Sequence, residues 1–368
     1  MQKKQLRFLF AGGGTGGHLF PAVAVAEKIR VLLPEADILF VGTKSKIEGR
    51  VVPKLGFKFK SIWIKGFSRK LTLENLLFPL KLIVSMIQSI LINFKFRPAV
   101  AIGTGGYVAG PAIFGSSLLG AKIILIEQNS YPGVTTKLLQ GCADEIHISF
   151  ENSQKYFRDK EKLMVTGNPV RENLIRMNKE VSIRNFGFSS AKKTLLVLGG
   201  SLGASSINSA VGNYVGELTK AGVQVIWQTG SRYYEKYKHL AAENVWLSAF
   251  IENMNDAYSA CDLVLTRAGA TSIAEILTLG VPAILVPSPN VAENHQYHNA
   301  KALADKGAAI LLEDKNLNEK LVDTVLSYLL DENKLNCLSK AAKEMSKPEA
   351  TTVIAQRAIS YAKQEMKN

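Results

Sequence analysis

Leu6-Arg7-Phe8-Leu9-Phe10-Ala11-Gly12-Gly13-Gly14-Thr15-Gly16-Gly17-His18-Leu19-Phe20-Pro21 is the stretch whose reading decides the fold. Its apolar run, Leu6 to Ala11, reads as a buried strand. The pattern after Pro21, through Ile29, reads as a helix with proline in its first turn. A strand, a glycine turn and a helix start together make a seat for anionic oxygens. The glycines let backbone approach closely, and the amides and helix dipole favour negative charge. His18 stands at the rim of that turn.

The same alternation continues outward. Strands are expected at Leu6–Ala11, Asp37–Val41, Phe57–Ile62, Val100–Gly103, Lys122–Ile126 and Glu145–Ile148, with helical patterns between them. A second series falls at Thr194–Leu198, Val223–Gln228, Val245–Ala249, Leu263–Thr266, Ala283–Val286 and Ala309–Leu312. Such alternation predicts parallel sheets covered on both faces. Leu196-Val197-Leu198-Gly199-Gly200-Ser201-Leu202-Gly203-Ala204 is a counterpart of the first strand and its turn. The fold expected is therefore α/β, two Rossmann-like doubly wound units in tandem, with ligands at the carboxyl ends of the strands in a cleft lined by both. The domains expected are 1–165, 166–348 and a C-terminal helical piece, 349–368, packing back on the first. The break falls at Gly167-Asn168-Pro169.

Composition narrows the class. The chain has 368 residues, 47% of them apolar and 21% charged, as in globular proteins of two domains. Its three cysteines, Cys142, Cys261 and Cys337, form no C-x-x-C pair, which argues against a disulfide framework or zinc ribbon. The first residues run straight into the first strand, with no signal peptide visible. The net charge of +14 points to an anionic partner. No aromatic-rich basic strand motif supports nucleic acid. Between Lys65 and Arg97 six basic residues stand against one acid, Glu74, around the apolar run Leu76–Ile92. Pro79, Lys81 and Gln88 make that run a poor spanning helix. Two readings stay open: a surface resting on an anionic leaflet, or a core helix with a basic edge.

Gly12, Gly14 and Gly17 also match G-x-G-x-x-G. A nicotinamide site needs an acid at the end of the second strand, yet that strand runs into Gly42-Thr43. A dinucleotide oxidoreductase is therefore disfavoured. Further polar turns end other strands, at Gly103–Tyr107, Glu127–Gly133, Gly199–Ala204, Arg267–Glu275 and Pro287–Ala300.

Gly13-Gly14-Thr15-Gly16-Gly17-His18, Gly105-Gly106-Tyr107, Glu127-Gln128-Asn129, Gly167-Asn168-Pro169-Val170-Arg171 and Gly199-Gly200-Ser201, in this order, resemble the MurG-type glycosyltransferases of family 28 across nearly the whole chain. The resemblance implies a GT-B fold and inverting transfer of N-acetylglucosamine from UDP-N-acetylglucosamine to undecaprenyl-pyrophosphoryl N-acetylmuramoyl-pentapeptide. It places that step on the cytoplasmic side of the cell membrane, as a peripheral protein of peptidoglycan synthesis serving cell shape and division. It implies no cofactor, an anionic leaflet as partner, and other cell-wall synthesis proteins beside it. With it, membrane contact is the favoured reading of 65–97. Other GT-B sugar-nucleotide enzymes, a glycolipid glycosyltransferase or a UDP-sugar epimerase, are the alternative.

Roles follow residue by residue. The resemblance assigns Thr15, Gly16, Gly17, Asn129, Arg171, Ser201, Phe250, Ile251, Ala270, Glu275, Gln296 and Asn299 to the donor, and Gly13, Gly14, Gly105, Gly106 and Tyr107 to the acceptor. Glu275 suits two ribose hydroxyls. Ser201 and nearby amides suit the pyrophosphate, Phe250 and Ile251 the uracil edge through backbone groups, and Gln296 with Asn299 the sugar hydroxyls. Arg171 is expected to meet the diphosphate or the sugar. His18 is the expected base, since a helix N-terminus disfavours the imidazolium. Leaving-group charge is met by helix starts and Arg171 without a metal. His295 and His298, with Glu293 near, lack a third well-placed ligand for a metal site. His295 stands where the family often has a glutamine or another polar residue, which makes that contact pH-sensitive.

Overall fold

The computed structural model describes residues 5–66, 77–200 and 202–365. The chain divides into two compact units, Met1–Glu172 with Lys347–Asn368, and Asn173–Ser346. The first unit runs β1 (Arg7–Gly12), α1 (Gly16–Leu32), β2 (Asp37–Gly42), α2 (Ile47–Lys54), β3 (Lys58–Ser61), α3 (Phe78–Phe96), β4 (Val100–Gly105), α4 (Ala109–Leu118), β5 (Lys122–Glu127), α5 (Val134–Leu139), β6 (Glu145–Ile148) and β7 (Leu163–Val165). Its seven-stranded sheet has the order β3-β2-β1-β4-β5-β6-β7, every pair parallel.

The first strand shows why the sequence folds so. Alternate side chains of a strand point to opposite faces, and here both faces are covered. Phe8 and Phe10 pack with Val25 and Ile29 of α1, and Phe10 stacks on Phe40 with centroids 5.1 Å apart. Leu9 and Ala11 pack with Ala109, Ala112 and Ile113 of α4. Sheet order reverses between β1 and β4, the switch point where ligands gather at strand ends. There the register shifts, from Ala11 opposite Gly103 to Gly12 opposite Gly105. The skipped Thr104 turns its hydroxyl to the carbonyl of His18, 2.7 Å away. A Cβ on Gly12 would sit 1.7 Å from that hydroxyl, so only glycine fits.

The second unit runs α6 (Lys179–Arg184), β8 (Thr194–Leu198), α7 (Ser205–Lys220), β9 (Gln224–Gln228), α8 (Tyr234–Tyr237), β10 (Val245–Ser248), α9 (Met254–Ala260), β11 (Leu263–Thr266), α10 (Ala270–Leu279), β12 (Ala283–Leu285), α11 (His295–Ala304), β13 (Ile310–Leu311), α12 (Leu317–Leu329) and α13 (Glu332–Met345). Its sheet is parallel, in the order β10-β9-β8-β11-β12-β13. The final helix, α14 (Ala350–Glu365), belongs to the first unit. It buries Ile354, Ala355, Ala358, Ile359 and Ala362 in the cluster that holds Val25 and Ile29. Thr351 Oγ1 donates to the Val170 carbonyl (2.7 Å) and accepts from its N–H (3.1 Å), fixing the segment after Gly167.

Two elements differ from expectation. β7 was not foreseen, because three residues are too few to show a period. α3 inverts the usual burial. Ser85, Ser89 and Asn93, at i, i+4 and i+8, are its buried residues. Asn93 accepts from Ser116 Oγ (2.7 Å) and donates to Ala112 O (3.3 Å) on α4. A Cβ on Gly115 would lie 3.3 Å from the Cβ of Ser89, which marks how close the helices come. The apolar side chains point outward, with Ile83 and Phe94 59% exposed and Leu91 55%. The core-helix reading is thereby overturned for Phe78–Phe96. Among the described residues α3 is the one helix long and apolar enough to cross a membrane by length and composition. Arg69, Lys70 and Glu74 of that stretch lie outside the described residues.

Candidate functional site

In the first unit the glycine turn after β1 leads into α1, whose N-cap is Thr15. Thr15 Oγ1 lies 3.2 Å from His18 Nδ1. The ring of His18 rests on the turn after β4. Cβ atoms on Gly105 and Gly106 would lie 3.1 Å from His18 Cδ2 and 3.3 Å from Nδ1. Both glycines have positive φ, 92° and 79°, so the backbone and the ring both require glycine there. Gly106 also abuts the Gly13 carbonyl, and Gly14 the ring of Tyr107. Gly13, Gly14, Thr15, His18, Gly105, Gly106 and Tyr107 therefore form one contiguous cluster at the switch point.

Buried polar groups brace that cluster. The carboxylate of Glu48, from the first turn of α2, is only 1% exposed. It accepts from the N–H of Gly14 and from that of Thr43, each at 3.0 Å. Gln128 Nε2 donates to the carbonyl of Thr104 at 2.9 Å, holding the bulge from β5. Glu127 is buried and accepts from the N–H groups of Asn129 and Gly133, both 3.0 Å, and from Asn129 Nδ2 at 3.3 Å. Burial raises its pKa against those hydrogen bonds. Burial also pushes the Tyr107 phenol up, and the charge of Glu48 adds to the rise.

In the second unit, Gly203 (φ 76°) and Gly230 (φ 82°) pack backbone against backbone behind the turn after β8. Gln228 Nε2 donates to Gly200 O (3.2 Å), and its Oε1 accepts from the N–H of Ile251 (2.9 Å). One side chain thus ties the β8 turn to the Phe250–Ile251 loop. The N–H of Phe250 donates to Ser248 Oγ at 3.3 Å. Of the backbone groups expected to read a base edge, both N–H groups are thus held by side chains of the same unit. Ile251 is buried and Phe250 is about half exposed.

After β11, Arg267 bonds Asp314 (2.5 Å) and Ser206 (2.6 Å), anchoring the turn that starts α10. Gly269 is the N-cap of α10 and supplies no side chain, so Ala270 and its neighbours present backbone amides. The hydroxyl of Thr271 beside them is buried without a hydrogen-bond partner. One turn on, Glu275 Oε2 accepts from the hydroxyl of Tyr258 at 3.0 Å. Gln296 Oε1 accepts from the N–H of Ser288 (2.9 Å), and Asn299 Nδ2 donates to Ala268 O (3.2 Å). Both side chains fasten α11 to the strand-end turns. Glu293 and Asn294, just before α11, take left-handed φ values of 52°, which cost about 1 kcal/mol or more each in residues with a Cβ.

Ser201 lies outside the described residues. Thr15, Gly16, Gly17, Asn129 and Arg171, assigned to the donor by resemblance, lie in the first unit, and the other described donor residues in the second. Among the described residues no group of three or more His, Cys, Asp and Glu is placed to hold a metal ion. Four residues went unassigned in the sequence: Glu48, Gln128, Gln228 and Tyr258. A fifth, Asn168, is buried with both amide atoms unpartnered, a costly state for a polar side chain. Its signal was its place between Gly167 and Pro169. Glu48 carried none.

A family model for the glycosyltransferase family 28 N-terminal domain matches residues 8–148, and one for the C-terminal domain of that family matches 194–354. The Flavobacterium psychrophilum protein named UDP-N-acetylglucosamine--N-acetylmuramyl-(pentapeptide) pyrophosphoryl-undecaprenol N-acetylglucosamine transferase is 42% identical over 365 residues, 98% of this chain and 99% of that one. Its namesake in Bacteroides thetaiotaomicron is 42% identical over 371 residues, 99% and 100% of the two chains. The crystal structure of Acinetobacter baumannii MurG is similar over 97% of this chain and 100% of its own, with a TM-score of 0.77 and 26% identity. The calicheamicin glycosyltransferase CalG4, at 12% identity and a TM-score of 0.71 over 98% and 99% of the chains, shares the fold.

Proposed function

The chain belongs to glycosyltransferase family 28, and on that footing we propose that it transfers N-acetylglucosamine from UDP-N-acetylglucosamine to an undecaprenyl-pyrophosphoryl N-acetylmuramoyl-pentapeptide. The fold is GT-B, two parallel-sheet units. The observation that carries the reading is the His18 cluster. An imidazole in the first turn of α1, with Thr15 Oγ1 3.2 Å from its Nδ1, is seated on two glycines that no other residue replaces.

The acceptor hydroxyl attacks the anomeric carbon of the donor while His18 takes its proton. The bond from that carbon to the UDP oxygen breaks on the opposite face, inverting the centre. UDP leaves with the bonding pair. Charge grows on the diphosphate, where amides at the start of α10 stabilise it. Glu275, oriented by Tyr258, takes the ribose hydroxyls. Gly13, Gly14, Gly105, Gly106 and Tyr107 hold the acceptor. Gln296 and Asn299 shape the sugar end of the donor site through the loops they fasten.

The acceptor's lipid tail gives α3 its role. An outward apolar face flanked by Lys81, Lys95 and Arg97 suits an anionic leaflet, with the apolar side chains entering the headgroup boundary. Peripheral attachment on the cytoplasmic side accords with this reading.

The test is turnover of labelled UDP-N-acetylglucosamine with a short-chain analogue of the lipid-linked muramoyl acceptor. Sugar should move to the acceptor and UDP should appear in equal amount. Acceptor-independent conversion of the nucleotide sugar would instead indicate an epimerase, and transfer to a neutral glycolipid alone a different transferase.

A further inference from the structure

Glu48 is the only described acid whose carboxylate lies inside a turn read as an anion seat. Both its oxygens are taken, by Gly14 N–H and Thr43 N–H. A Cβ on Gly13 would fall 2.5 to 2.9 Å from the carboxyl atoms, and one on Gly42 2.5 Å from Cγ. The side chain is thus packed between the ends of β1 and β2, shut from water. An amide already bound to a carboxylate has no hydrogen left for a phosphate, and a second anion beside it is repelled. The N–H of Gly14 therefore serves the turn's own geometry, and Gly14 can meet a ligand only through the position Glu48 gives it.

We propose that Glu48 is a positioning residue for transfer: it fixes the Gly13–Gly14 turn, and through that turn the seats of Tyr107 and His18. The chain of contact is short. Glu48 holds Gly14, which abuts Tyr107, while Gly13 O abuts Gly106, on which the His18 ring rests. Displacing the turn moves the base relative to the hydroxyl it must reach, and small misplacements cost large factors in rate. This inference rests on the transferase reading above.

Glu48→Gln tests it with little change of volume. A carboxamide nitrogen cannot accept a hydrogen bond, so one of the two turn amides loses its partner. The kcat of transfer should fall about tenfold, with KM for UDP-N-acetylglucosamine and the affinity for UDP unchanged. Wild-type kcat, or a UDP affinity that falls in step with kcat, would overturn the inference. A second measurement does not need turnover. In histidine-labelled protein, with His18→Ala assigning the signal, the ring resonances of His18 should shift in Glu48→Gln while those of His239 stay. An unmoved His18 signal sinks the coupling. If the wild type transfers no sugar, the functional reading falls and the resonance still decides this one.

Discussion

Thr15 Oγ1 and His18 Nδ1 lie 3.2 Å apart, one turn of α1 holding both the cap and the ring. The hydroxyl either donates to Nδ1, leaving the proton on Nε2, or accepts from it. Only the second arrangement leaves Nε2 free of a proton and able to receive one.

His18→Ala should lower kcat by about a hundredfold to ten-thousandfold, the range for removing a general base. UDP affinity should hold. Thr15→Ala keeps the ring and loses its orienter, so its kcat should fall by about tenfold. Steady-state kinetics with UDP titration separates the two, and a His18→Ala enzyme turning over like the wild type removes His18 as the base.

Glu275→Ala should raise the Kd for UDP by about tenfold to a hundredfold, the worth of hydrogen bonds to a charged group. Tyr258→Phe removes the phenol that orients the carboxylate, so a smaller rise of the same sign is expected. Calorimetry reads both without the acceptor. Unchanged UDP affinity in Glu275→Ala would place the ribose elsewhere.

Charge reversal of Lys81, Lys95 and Arg97 to Glu should weaken binding to anionic vesicles by at least about a hundredfold, from roughly 1 kcal/mol per basic residue near the surface. Added salt should weaken wild-type binding in the same direction. Serine at Ile83 and Leu91 should lower the part of the affinity that salt leaves. Equal sedimentation with vesicles in all variants would move the contact off α3.

Stability should fall in acid through His147. This ring is buried, and burial, with the cation of Arg357 adding to it, lowers its pKa to about 3 from 6.5. The Glu145 carboxylate 3.7 Å from Nε2 is held on both oxygens by Arg357 Nε, at 3.0 and 3.1 Å. The unfolded chain takes a proton near pH 6.5 while the folded one refuses it until about pH 3. The contribution is whole above that window and is lost as pH falls through it, by at most about 1.4 kcal/mol per unit. Urea midpoints against pH should fall less steeply for His147→Gln. Superimposable profiles would clear His147.

The strands were legible because a parallel strand covered on both faces shows as an unbroken apolar run, as in Phe8–Ala11. The glycine turns were legible because positive φ and close approach admit little else. Glu48 was not, since an acid in the first turn of a short helix looks solvated until tertiary packing buries it. The sequence shows no acid at the end of β2, yet the fold returns one there. Its oxygens serve the protein's own amides, so the case against a nicotinamide ribose site stands. The outward face of α3 could have been read from Ser85, Ser89 and Asn93, whose spacing of four marks a polar stripe beside an apolar one.

The placement of α14 has a consequence for biosynthesis. The surface of α1 that it covers belongs to the part of the chain made first, while α14 is made after all of Asn173–Ser346. At ribosomal speeds of about 5–20 residues per second, Val25 and Ile29 wait for on the order of fifteen seconds to a minute without their partner. The nascent N-terminal unit is thus a natural client for chaperones, and a stop codon just upstream of Ala350 would strike the half of the enzyme farthest from it in the message.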